Sequence, residues 1–235
     1  LMDRLFTGLA LIDVHDDLAR NIVGLIESQH VFDDLSDSED DWHMAEQVEL
    51  EMKLPGFDSL LPIIHRPFER VMVDSAITYP FSNLGKSRYS DGSHGVWYGA
   101  DSIKTSIYES AHHWYAGLLS DAGFNKAGVI SERRVFWVRC DAALINLKEK
   151  VLAFPELLNR DDYRYCQGVG ARIHHEGHPG LITRSARYLR GDTIAILNSK
   201  VLSSPRHAAY FSYTLQDDCI DVREDGKNAF LTIPI

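Results

Sequence analysis

The feature that most constrains the fold is a short glycine-bounded strand that runs straight into a capped helix. Gly95-Val-Trp-Tyr-Gly-Ala100 is apolar with glycine at or near both ends, and Asp101-Ser102 follows as a helix cap. From there Ile103, Ile107, Ala111, Trp114 and Leu118 recur at the 3.6-residue period and define a buried stripe. Around this hairpin the pattern alternates less regularly. Asp16-Asp17 followed by Leu18, Ile22, Leu25 and Ile26 predicts a capped amphipathic helix, and Val71–Thr78 a short strand. Val135–Val138 reads as a buried strand, and Asp161-Asp162 opens a helix to about His175, stopped by Gly177 and Pro179-Gly180. Leu181–Thr183, Thr193–Leu197 and Ala229–Ile233 read as later strands. Helices and strands intermix without a strict strand–helix–strand alternation, which predicts an α+β fold.

The 235 residues suffice for one sizeable domain with a full core. The net charge of −10 argues against coating a nucleic acid, and direct nucleic-acid binding is not expected. Nine of the carboxylates fall between Asp33 and Glu51 with no Lys or Arg among them, a solvated face or a docking surface for a basic partner. The three cysteines are too scattered for a disulfide framework or a zinc ribbon. Neither a signal-peptide pattern nor a run of about 18 apolar residues appears, so a cytoplasmic protein without a membrane anchor is expected.

Glu109 projects from the capped helix about opposite its apolar stripe, with Thr105 one turn before it on the same face. It therefore faces either solvent or a cleft. The preceding segment, Arg88-Tyr-Ser-Asp-Gly-Ser-His-Gly-Val-Trp-Tyr98, supplies a guanidinium in a turn and an aromatic at the end of a short strand. A guanidinium is a rigid fork for phosphate oxygens. A tyrosine face stacks on a flat, cationic heterocycle. A carboxylate stabilises positive charge as a glycosidic bond breaks. One substrate needs all three: NAD, with its diphosphate, cationic nicotinamide and N-glycosidic bond. Bland readings compete at each position, with Trp97 as core, Tyr98 as a packed ring with a bonded hydroxyl, and Ser185 as a turn cap.

Arg88, Trp97-Tyr98-Gly-Ala, Thr105 and Glu109, followed by Gly180-Leu-Ile-Thr-Arg-Ser185-Ala-Arg187, resemble the RES-domain toxins of bacterial RES–Xre toxin–antitoxin pairs. The resemblance covers about Asp74 to Leu202. It implies an ADP-ribosyltransferase-like fold, a split β-sheet core with flanking helices. It also implies a single RES-type domain, with residues 1–70 as an N-terminal helical extension and 71–235 as the catalytic core. The implied activity is depletion of NAD by cleavage of its nicotinamide bond, through phosphorolysis or hydrolysis. ADP-ribosyl transfer to a cellular protein is the alternative within the enzyme class, and a non-catalytic nucleotide-binding module the alternative outside it. NAD would be a consumed substrate rather than a cofactor, with inorganic phosphate as a co-substrate. Carried over, Arg88 holds a phosphate, Tyr98 flanks nicotinamide, and Glu109 binds the ribose and stabilises the oxocarbenium-like state. Ser185 bonds ribose or phosphate and orients Arg88 or Glu109, Thr105 is a further substrate-binding residue, and Arg187 is a second anion contact. An Xre-family antitoxin would occlude the cleft, and self-association is expected on the same grounds.

Other chemistries lack an anchor. His112-His113 and His174-His175-Glu176-Gly-His178 invite a metal, but no HExxH occurs and adjacent helical histidines diverge by about 100°. A Cys–His nucleophile would fall on Cys140 or Cys166, but Cys140 ends an apolar strand, where cysteine serves as a small apolar residue. No GxSxG elbow, P-loop or GxGxxG pattern is present.

Overall fold

The computed structural model describes residues 2–23, 67–120, 123, 126–225, 227 and 229–235. Leu1–Gly24 and Val73–Ile235 cluster as one compact unit and Leu25–Met72 as another. The acidic stretch at 33–51 lies outside the described residues. The elements of the first unit surround an eight-stranded sheet. They are α1 (Met2–Phe6), β1 (Ala10–Val23), the end of α2 (Pro67–Ser82), a small hairpin β2 (Lys86–Ser87) and β3 (Ser90–Asp91), β4 (Trp97–Ala100) and α3 (Ile103–His112). They continue with β5 (Ile130–Asn146), α4 (Arg164–His175), β6 (Gly180–Arg184), β7 (Asp192–Ile196), β8 (Leu202–Leu215), β9 (Cys219–Glu224) and β10 (Ala229–Pro234). No described helix is long and apolar enough to cross a membrane.

The sheet order is β1-β4-β7-β6-β5-β8-β9-β10, and β1 also pairs with β5, closing five strands into a ring. The ring has unequal seams. β1 and β5 are bonded along their whole length, from Ala10↔Asn146 to Val23↔Arg133. β4 meets β1 only at Ala19↔Ala100, and β6 joins β5 only at Ile145↔Leu181 and Asn146↔Ile182. The α+β fold is thus a central sheet whose two halves part beyond the Ala19–Ala100 contact.

Three cores hold this arrangement. Val14, Leu18, Trp97, Phe136, Val138, Cys140 and Ile196 pack with Ala76 and Ile77 of α2. Val169 and Ile173 of α4 pack with Leu181, Ala195 and Leu197 behind β6 and β7. Ile107 and Ala111 of α3 pack with Val135, Phe211, Tyr213 and Val222 on β5, β8 and β9. Trp97 is a core residue, fully buried, with Nε1 donating to the Ala76 carbonyl at 2.8 Å. Cys140 is likewise packed as an apolar residue, and burial pushes its thiol up to about 11.

Three expectations need correction. The described part of the helix expected from Asp16 is strand β1, which belongs to the central sheet and not to a helical extension, while Leu25 and Ile26 lie outside the described residues. Val14, Leu18 and Ile22 are four apart, a spacing that helical and alternating patterns share. Fourteen-residue pairing with β5 decides between them. The strand expected at Val71–Thr78 is part of α2. The apolar stripe of α3 ends on Leu119, which is 5% exposed, and not on Leu118, which is 63% exposed. From His113 to Leu119 the helix loosens into π-helical turns, so Trp114 and Leu119, five apart, share the buried face.

Candidate active site

Where the two halves of the sheet part, a cleft of about 440 Å³ opens, a size suited to a small-molecule ligand. Its walls are Ala19–Asn21 of β1, Lys86–Tyr89 of the hairpin, Tyr98–Ala100 of β4 and Thr193–Ala195 of β7. Ser106, Glu109 and Ser110 of α3 complete it with His113, Arg133 and Tyr163.

Arg88 occupies the turn between β2 and β3. The Tyr98 hydroxyl accepts from the Tyr89 amide and bonds Ser87 Oγ, each at 2.9 Å, and so clamps the residues on both sides of Arg88. Gln167 of α4 donates to the Ser87 carbonyl at 3.1 Å. Gly170, one turn on, lets α4 touch the hairpin, because a Cβ there would lie 2.0 Å from the Tyr89 carbonyl oxygen. The Arg88 guanidinium donates to the carbonyls of Asn159 (2.7 Å) and Leu157 (3.3 Å) and lies 4.5 Å over the Tyr163 ring. Burial opposes its charge, but Tyr89, Cys166, Tyr163 and Glu109 together hold its pKa above the usual arginine value. Burial pushes the Tyr98 hydroxyl up to about 12, so it remains a neutral bracing group.

Glu109 reaches the cleft from α3, whose first turn is capped by Ser102 Oγ accepting from the Thr105 amide. Ser185, wholly buried after β6, donates its hydroxyl to Glu109 Oε1 at 2.5 Å. Its oxygen accepts from the amides of Tyr188 (2.9 Å) and Arg187 (3.2 Å), which fixes the direction of that donated proton. The Ser185 loop is pressed against α3 through Gly191, where a Cβ would meet Thr105 Oγ1 at 2.0 Å.

Of the residues singled out from the sequence, Arg88, Tyr98 and Glu109 line one cleft. The other three sit one layer back. Ser185 stands behind Glu109 with its hydroxyl on that carboxylate, and its burial corrects the expectation that it bonds a ligand directly. Thr105 is a second correction: it is 0% exposed, bonds Ser102 and packs on Gly191, so it joins two elements of the wall without lining it. Arg187 stands behind Tyr163, donating to the Tyr163 hydroxyl at 3.2 Å and to the Arg160 carbonyl at 2.5 Å. Its expected anion contact would have to be made through that layer.

The sequence reading missed Arg20, Asn21, Ser110, His113 and Arg133. His113 carried a signal, since adjacent helical histidines diverge. His113 opens into the cleft while His112 turns toward Arg187 and Arg160. Although the ring keeps an exposed side, partial desolvation, opposed by Glu109, lowers the His113 pKa. Burial and then Arg187 push His112 down to about 4. Among the described residues, no group of three or more His, Cys, Asp or Glu is placed to hold a metal.

A family model described as "RES domain" matches residues 62–216, and the chain belongs to that family. No curated protein matches the chain at significance. A solved structure similar to it is the "Crystal structure of the M.tuberculosis MbcT-MbcA toxin-antitoxin complex", at 12% identity and a TM-score of 0.46, with 91% of each chain covered.

Proposed function

We propose that this chain is the toxin of a toxin–antitoxin pair and cleaves the nicotinamide N-glycosidic bond of NAD. The observation that carries the reading is the Glu109 carboxylate, aimed into a ligand-sized cleft by the buried Ser185 hydroxyl and flanked there by Tyr98 and Arg88. As the bond from the ribose C1′ to nicotinamide breaks, its electron pair moves onto the ring nitrogen and neutralises the leaving group. Positive charge develops at C1′ and the ring oxygen, beside Glu109. A carboxylate already fixed in place stabilises that charge without reorganising. An oxygen of inorganic phosphate, or of water, then bonds to C1′, and in hydrolysis the attacking water gives up its proton to solvent. Tyr98 contributes an aromatic wall for nicotinamide, and Arg88 an anchor for a phosphate. A protein partner of the Xre antitoxin class would inhibit by covering the cleft.

The test is mass-resolved product analysis of NAD incubated with the purified chain, with and without inorganic phosphate. Nicotinamide with a phosphorylated ADP-ribose identifies phosphorolysis, and plain ADP-ribose identifies hydrolysis. Glu109→Gln is expected to fold and to lose about 100- to 1000-fold in rate. Cleavage by that variant at the wild-type rate would refute the assignment. Absence of nicotinamide release from a folded, partner-free sample would favour transfer to a protein acceptor.

A further inference from the structure

The loop after β6 that carries Ser185 is held to α3 by more than the Gly191 contact. Between Ser185 and Gly191 the chain folds back on itself. The Ser185 amide donates to the Gly191 carbonyl and the Gly191 amide to the Tyr188 carbonyl, each at 2.9 Å. Midway along, the Tyr188 ring stacks on Tyr108, with centroids 4.8 Å apart and planes 12° from parallel. Lys104 Nζ lies 5.3 Å over the same Tyr188 ring. Lys104 and Tyr108 are one turn apart on α3, and Thr105 and Glu109 form the next pair round the helix. The first pair grips the loop through Tyr188, while in the second Thr105 abuts Gly191 and Glu109 takes the Ser185 hydroxyl. Both tyrosines are half-buried, and offset ring stacking and a cation over a ring are favourable in such surroundings.

The Tyr188 amide makes the shorter of the two bonds into Ser185 Oγ, 2.9 Å against 3.2 Å from Arg187. A serine hydroxyl that loses such a donor is free to rotate, and its proton is no longer directed at Glu109 Oε1. Ring and amide belong to one residue, so the stack on Tyr108 sets where that amide sits. Arg187 is pinned separately, by the Arg160 carbonyl and the Tyr163 hydroxyl, so the Arg88 side of the cleft does not depend on the stack. We infer that Tyr188 is a positioning residue for Glu109, clasped by Tyr108 and Lys104 and acting through its amide on the Ser185 hydroxyl. The inference rests on the NAD-cleavage reading for what Glu109 does, but the clasp has a readout that needs no turnover.

The experiment compares wild type with Tyr188→Ala, Tyr108→Ala and Tyr188→Phe, and adds Tyr188→Ala to Ser185→Ala. Nicotinamide release from NAD gives kcat and KM, and residue-resolved hydrogen exchange follows the amides of residues 187 and 188. Either alanine variant is expected to lower kcat about 3- to 10-fold, the range one stacked aromatic pair supplies, with KM changed less than about twofold. Exchange at residues 187 and 188 should quicken by about the same factor. Tyr188→Phe keeps the ring and should keep the wild-type kcat. On the Ser185→Ala background, Tyr188→Ala should cost nothing further in kcat, because the path to Glu109 is already cut. A merely structural role would lower the thermal midpoint and leave kcat alone, or add the same loss on both backgrounds. Either result overturns the proposal, as does a loss confined to KM. Unchanged exchange at both amides would overturn the clasp whatever the kinetics. A wild type that releases no nicotinamide would refute the cleavage reading separately, and quickened exchange in the two alanine variants would still uphold the clasp.

Discussion

Replacing Ser185 with alanine isolates the contact that makes Glu109 a preorganised charge. The native hydroxyl donates to Glu109 Oε1 at 2.5 Å and accepts from two backbone amides, all within a fully buried site. A hydrogen bond to a charged group contributes about 1.5–3 kcal/mol. If the carboxylate is held equally in ground and transition states, that energy affects folding alone. If it is what keeps the carboxylate from rotating away from C1′, the energy appears in the barrier. Converted at about 1.4 kcal/mol per decade, the rate falls about 10- to 100-fold. The two amides left without an acceptor cost a further 1–2 kcal/mol of stability, roughly, or about 2–8 °C in thermal midpoint for a domain of this size. Nicotinamide release from NAD, measured as kcat and KM, is the assay. We expect kcat to fall and KM to change little. The decisive comparison is the double variant. With Glu109→Gln already in place, adding Ser185→Ala should lower the rate no further, because the two act as one unit. A folded Ser185→Ala that turns over at the wild-type rate, or losses that simply add in the double variant, would refute the positioning argument.

Arg88→Lys should lose at least about 10-fold in activity while folding normally, because an ammonium cannot stack on Tyr163 and donate to the Leu157 and Asn159 carbonyls from one rigid plane; full activity would reduce Arg88 to a point charge. Gly170→Ala, which in an open helix would stabilise by about 1 kcal/mol, should instead destabilise by about 3 kcal/mol or more, read by denaturant unfolding, because the new Cβ meets a backbone oxygen. Unfolding free energy should decline as pH falls from about 6.5 to about 4. Over that window the unfolded chain protonates His112 while the folded one does not, and below it both are protonated. His112→Gln should flatten that slope, and an equal slope in the variant would place its origin elsewhere.

Local signals carried the parts of the fold that are local. The Ser102 cap, the glycine-bounded β4 and the Gly177 stop of α4 are each decided by a few neighbouring residues, and each lies where the sequence puts it. The π-helical turn after His112 depends on tertiary packing, so the 3.6-residue stripe overshot to Leu118. Strand β8 was legible and overlooked, since Ala209, Phe211, Tyr213 and Leu215 alternate as a half-buried strand requires. The site divides in the same way. Arg88, Tyr98 and Glu109 follow one another along a single strand–helix hairpin, so sequence order sufficed to group them. Arg20 and Arg133 lie on strands more than a hundred residues apart, and neither neighbourhood distinguishes them from surface arginines. Only the β1–β5 pairing, which sets Val23 opposite Arg133, brings the two strands together at the cleft.

The cleft and its unpaired charges have one structural origin. A sheet that stayed bonded between β1 and β4 would satisfy the Tyr98 carbonyl from β1 and leave no cavity beside Glu109. Because pairing stops at Ala19–Ala100, that carbonyl needs another donor, and Arg20 provides it from β1 itself. The guanidinium is thereby drawn toward the gap, where no described carboxylate pairs with it. The same parting leaves α3 free to turn Glu109 inward, on the face of β5 where Arg133 is buried against Tyr213. Stability is lost at these positions, because the Nε atoms of both buried arginines go unpaired. Arg133→Met should therefore raise the thermal midpoint of the free protein, and a lowered midpoint would make the contact with the Tyr213 ring the larger effect.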